Sequence, residues 1–112
     1  RFLRNPYWEP SLRELDGRTD TVQAYVTQDQ RFVPFFKLLQ EMVQLLLPAY
    51  VEEGKSHLSI GFGCTGGQHR SVALTEIFAN TLAQGGWQVS KRHREIERRG
   101  DSVQKAKNGV VT

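Results

Sequence analysis

His57-Leu58-Ser59-Ile60-Gly61-Phe62-Gly63-Cys64-Thr65-Gly66-Gly67-Gln68-His69-Arg70-Ser71-Val72 is the stretch on which the reading of the fold turns. Leu58, Ile60 and Phe62 alternate with His57, Ser59 and Gly61, the period-two pattern of a strand with one face in the core. From Ser71 the period changes. Val72, Leu74, Ile77, Phe78 and Leu82 mark a helix over 71–83, and Gly85-Gly86 stops it. Residues 87–91 then resume an extended pattern. A strand, a helix and a second strand over this length imply parallel neighbours joined by a right-handed crossover. The expected class is therefore α/β, a small mostly parallel sheet flanked by helices, with a Gly-rich anion-binding loop between a strand and a helix.

That loop, Cys64 to Ser71, carries the chemistry. Glycines let backbone amides converge, the start of a helix adds unpaired N–H groups and a positive dipole, and Arg70 brings a planar fork suited to phosphate. A cation in the first turn of a helix opposes the dipole, so Arg70 calls for an anion. Gly61, Gly63 and Gly66 fit G-x-G-x-x-G, but Lys91 and Arg92 stand where a dinucleotide fold expects an acidic residue. A triphosphate P-loop fails because Gly67 is followed by Gln68. Cys64, five residues and Arg70 reproduce the spacing of cysteine phosphatases, a thiolate inside an amide-lined loop closed by an arginine. Gly63 stands where those enzymes place histidine, and the general acid would have to be Asp16, Glu9 or Asp101. Catalysis by Cys64 and Arg70 is thus the alternative to simple anion binding, in which His69 also contacts the ligand. His57, Cys64, His69 and His93 match no zinc spacing, and no metal or cofactor is expected.

Outward from the loop, apolar residues at 32, 35, 36, 39, 43, 46 and 47 define one buried helical stripe, with Pro48 as a kink or end and Gly54 as the final stop. Asp20 caps a short helix over 21–27, and Asp16-Gly17 is a turn. Asn5-Pro6-Tyr7-Trp8-Glu9-Pro10 is a restrained loop. Tyr7, Trp8 and Trp87 read as core or rim aromatics.

The chain has 112 residues, 15 Lys and Arg against 12 Asp and Glu, and one cysteine. One domain fits, with no internal disulfide, and the single thiol points to a cytoplasmic setting. No unbroken apolar run nears the ~18 residues of a membrane span, so no membrane is expected as a partner. Charge is uneven: residues 1–90 hold 8 basic and 9 acidic groups, a balance of −1, whereas residues 91–112 hold 7 and 3, a balance of +4. Lys91, Arg92, Arg94, Arg98 and Arg99 form a basic stretch of the kind that meets phosphate backbones, with Glu95 and Glu97 interleaved as in a solvated helix face. Residues 101–112 show no periodicity and read as a flexible tail to a domain over 1–100.

Gly63 to Val72, together with Arg1-Phe2-Leu3-x-Asn5-Pro6-Tyr7-Trp8, Asp16-Gly17, Gly54-Lys55-Ser56, Arg92-His93-Arg94 and Glu97-Arg98, resembles the C-terminal domain of the RapZ family of bacterial RNase adapter proteins. Members also carry an N-terminal P-loop domain that these residues lack. The resemblance implies a non-catalytic sensor of an amino-sugar phosphate such as glucosamine-6-phosphate, or of a nucleotide sugar. It also implies a homo-oligomer that binds structured small RNA and presents it to an endoribonuclease. Asn5, Tyr7, Cys64, Thr65, Gly66, Gly67, Gln68, His69, Arg70 and Ser71 become the ligand set, Tyr7 standing where enterobacterial members have histidine. Lys91, Arg92, Arg94, Arg98 and Arg99 match a basic stretch implicated in RNA contact.

Overall fold

The computed structural model describes the backbone of residues 1–107 and side chains through residue 100. A single 3-10 turn, Pro6–Trp8, precedes α1 (Asp20–Thr27), α2 (Phe32–Glu52), α3 (Arg70–Gln84) and α4 (Arg94–Lys107). Thr19 caps α1 by accepting from the Val22 amide, so Asp20 lies inside the first turn. The apolar stripe of α2 buries Phe32, Leu39 and Val43, as its spacing predicts. The helix runs through Pro48 and closes at Gly54, where the Lys55 amide returns to Tyr50 and the Gly54 amide to Val51. α3 ends in the same way, with Trp87 returning to Leu82 and Gly86 to Ala83. Val22, Val26, Phe32, Leu39, Val43, Ala73, Leu74 and Phe78 form the core where α1 packs on α2 and α3. By length and composition α2 could cross a bilayer, although Lys37 and Glu41 break its apolar run.

The expected sheet is absent: among the described residues there is no β-strand. Segments 57–63 and 87–93 have no regular structure and form no ladder. The alternation put Leu58, Ile60 and Phe62 on one buried face, and that holds only in part: the Phe62 ring packs edge-on against Phe78 at 5.8 Å, whereas Ile60 is 38% exposed. It did not report pairing. A parallel pair needs cover on both faces, and two strands alone are marginal. Here α3 covers one side, and both segments border an open cleft of about 1710 Å³. The anion loop consequently lies at no sheet edge, and its geometry rests on α3 and the N-terminal strap. The α/β expectation is replaced by a helical arrangement with irregular connections among the described residues.

α4 also departs from expectation, running through Gly100 to Lys107. Ion pairs one turn apart, Glu95 with Arg98 and Glu95 with Arg99, support its exposed first turns in place of an apolar stripe. The remainder of the expected flexible tail, 108–112, lies outside the described residues.

Candidate functional site

Arg70 opens α3 and is 7% exposed. Its Nη1 donates to the Arg1 and Leu3 carbonyls, the latter at 3.4 Å, and Nη2 donates to Thr65 Oγ1 at 3.4 Å. No carboxylate pairs with it among the described residues. A buried charge held only by neutral acceptors is costly unless an anion completes its shell. Phe2 and Arg4 anchor the strap that supplies those carbonyls, Phe2 against Phe35 at 5.0 Å and Arg4 over the Tyr25 ring at 4.0 Å. Beside Arg70, a pocket of about 290 Å³ is lined by Arg1, Gly63, Cys64 and Thr65.

Cys64 stands 3.2 Å from Ser71 Oγ, and the Ser71 amide donates to its sulfur at 3.4 Å. Burial pushes the thiol up. Hydrogen bonds from Ser71 and the Gly67 amide, with the Arg70 charge, outweigh burial and leave it below the ordinary thiol value. The residue before α3, His69, provides no side-chain cap. The structure therefore brings Cys64, Thr65, Arg70 and Ser71 together around a cationic, amide-bearing corner.

Gln68 and His69 point elsewhere. Gln68 Nε2 donates to the Arg13 and Leu15 carbonyls at 3.1 and 2.8 Å, and His69 donates from Nε2 to the Arg13 carbonyl at 3.1 Å. Both side chains thus clamp the 13–17 segment onto the loop. Gly17 completes the clamp through its amide, which donates to the Gln68 carbonyl at 2.9 Å. A Cβ at Gly17 would lie 2.2 Å from the Ala73 amide nitrogen, so only glycine allows this approach. Gly67 has φ +65°, and a Cβ there would meet the Glu95 side chain of α4 at 3.0 Å.

Asn5 accepts from the Tyr7 amide at 3.1 Å and caps the 3-10 turn. Tyr7 is half exposed beneath Arg13, whose guanidinium lies 4.6 Å from the ring centre and whose Nε donates to the Tyr7 carbonyl. Both residues reach the loop through Arg13, which the sequence reading had not singled out. Arg13 lies between Pro10 and the Asp16-Gly17 turn, and nothing in the residues around it marks it out. Asp16 is held by Arg18, whose guanidinium keeps the carboxyl below the usual carboxylate range.

The basic stretch is largely ion-paired. Lys91 pairs with Glu76, Arg92 with Glu97, Arg98 with Glu95, and Arg99 with Glu95 and the Gln68 amide oxygen. His93 donates to Glu76 at 2.8 Å and fixes the approach to α4, a role the sequence did not signal.

Sequence comparison now bears on this geometry: the profile of the RapZ C-terminal domain matches residues 1–97. The chain belongs to the RapZ C-terminal domain family. The match takes in the loop, the strap, the clamp and the first turn of α4. A nucleotide-binding protein of Cereibacter sphaeroides strain KD131 is 63% identical over 103 residues, 92% of this chain and 35% of that protein. A nucleotide-binding protein of Dinoroseobacter shibae is 62% identical over 104 residues, 93% of this chain and 35% of its own length. One from Jannaschia sp. is 61% identical over 98 residues, covering 88% and 31%. The chain thus spans about a third of these relatives.

Proposed function

We propose that this RapZ C-terminal domain binds a phosphorylated sugar or related phosphate ester in the Cys64–Ser71 loop without turning it over, and uses α4 as an adapter surface for structured RNA. Arg70 carries the first part: a nine-tenths buried guanidinium with no carboxylate partner among the described residues, beside a pocket of about 290 Å³, suits a bound phosphate. The nucleotide binding in the relatives' names attaches to proteins three times as long, and the loop here has no lysine at the P-loop position.

The competing reading is a cysteine phosphatase, favoured by the lowered Cys64 thiol. Against it, Asp16 is ionised and engaged by Arg18, so it cannot donate a proton to a leaving group. Glucosamine-6-phosphate binding measured by calorimetry, lost in Arg70→Ala, supports the binding module. Cys64-dependent release of phosphate from an aryl phosphate, abolished in Cys64→Ser, overturns it.

RNA contact rests on Lys91, Arg92, Arg94, Arg98 and Arg99 lying on one short segment. Their pairing with Glu76, Glu95 and Glu97 leaves few phosphate contacts per chain. An oligomer would set several such faces side by side and strengthen binding by effective concentration. Presentation to a ribonuclease would follow from holding RNA in this way.

A further inference from the structure

We propose that Gln68 is a positioning residue, a strut that holds the 64–71 loop in its anion-ready shape rather than a contact to the ligand; this rests on the anion-binding reading above. A glutamine side chain has two N–H donors and one carbonyl acceptor. All are engaged outside the loop. Both donors go to carbonyls 55 and 53 residues earlier, those of Arg13 and Leu15. The amide oxygen accepts from Arg99 on α4, and the main-chain carbonyl accepts from the Gly17 amide. Gln68 therefore joins three separate parts of the chain and has no side-chain donor left for a phosphate.

The loop needs such a tie. Gly66 and Gly67 precede Gln68, Gly67 with φ +65°, and a Cβ at Gly66 would meet nothing within 4 Å. Ordering each residue of such a segment costs backbone entropy. Amides that must converge on an anion gain from having that cost met before the ligand arrives. His69 donates to the same Arg13 carbonyl but is 7% exposed, so changing it would disturb the packing beneath α3. Gln68 is half-buried and separates the two effects.

The test uses the full 112-residue chain with inorganic phosphate and glucosamine-6-phosphate as calorimetric probes, and amide hydrogen exchange at Gly66 and Gly67 as a second readout. Gln68→Met keeps length and volume while removing every side-chain hydrogen bond. It is expected to weaken both probes about tenfold, as the loss of three hydrogen bonds allows, to speed exchange at Gly66 and Gly67 about tenfold, and to leave Tm within about 2 °C. Arg99→Ala, which removes one tie, should cost about twofold. Affinity within twofold of wild type in Gln68→Met, or unchanged exchange at the two glycines, overturns the strut. If wild type binds neither probe, the anion reading fails and exchange alone decides: faster exchange supports the strut, unchanged exchange overturns it. Should Gln68→Met fail to fold, Gln68→Lys can still donate to both carbonyls; slow exchange in that variant supports the proposal and fast exchange overturns it.

Discussion

Asp29 accepts from the Arg31 amide at 2.9 Å and from the Arg31 guanidinium, and its own carbonyl receives the Phe32 amide at the start of α2. The Arg31 side chain, then its amide, hold the Asp29 carboxyl down to about 2. Because the folded pKa lies below the unfolded value of about 3.9, the contribution is complete above that value and is lost as pH falls towards 2. Asp29→Asn should lower Tm at pH 7, and the difference from wild type should shrink between about pH 4 and pH 2; thermal melts at both ends of that window check it. Arg70 is the opposite case, buried among carbonyls without a counter-charge among the described residues. Phosphate or sulfate should raise Tm more than chloride at equal ionic strength, by mass action on the folded state. Arg70→Ala should remove that difference, and equal Tm values in all three salts for wild type would contradict an anion site.

Among the elements, the 13–17 clamp makes the sharpest prediction. Gly17→Ala places a methyl inside the backbone of α3's first turn and should destabilise by about 2–4 kcal/mol, measured by urea unfolding. Pro48 lies inside α2, where it removes the bond to the Gln44 carbonyl. Pro48→Ala should stabilise by about 2 kcal/mol, the helical gain exceeding the unfolded-state loss; a lower midpoint would show that Pro48 has a packing role. α2 and α3 were legible because apolar spacing of three and four reports a buried face directly. The strands were misread because the alternation of Leu58, Ile60 and Phe62 records residue type alone: Ile60 is exposed, and pairing depends on a neighbour the pattern does not specify. α4 was legible only as interleaved charge, and its Glu95, Arg98 and Arg99 spacing was the available sign of a helix. In the loop, residue types disclosed the cation and the glycines. The clamp stayed hidden because Gln68 reaches carbonyls over 50 residues away, which any residue type could have supplied.

Across the whole molecule, charge is organised as pairs more than as a field. With Lys91, Arg92, Arg98 and Arg99 each facing a glutamate, a bound polyanion must compete with ion pairs already made. Binding of a structured small RNA should therefore be weak, with a log–log salt slope on the order of −2 to −4 instead of that of an unpaired basic patch. Replacing Arg92, Arg94 and Arg98 together by alanine should reduce that slope, whereas replacing Glu95 and Glu97 by glutamine should steepen it. Filter retention across a salt series distinguishes the two, and an unchanged slope in both variants would remove α4 from RNA contact.

The two tryptophans occupy very different settings, Trp8 being 73% exposed on its 3-10 turn and Trp87 38% exposed at the closure of α3. Native fluorescence should therefore be a composite, red-shifted and open to acrylamide from one indole, bluer and less accessible from the other. Unfolding would barely recolour the first. An optical melt of this protein is consequently a local gauge of the end of α3, and Trp8→Phe should leave its midpoint in place while removing most of the quenchable light.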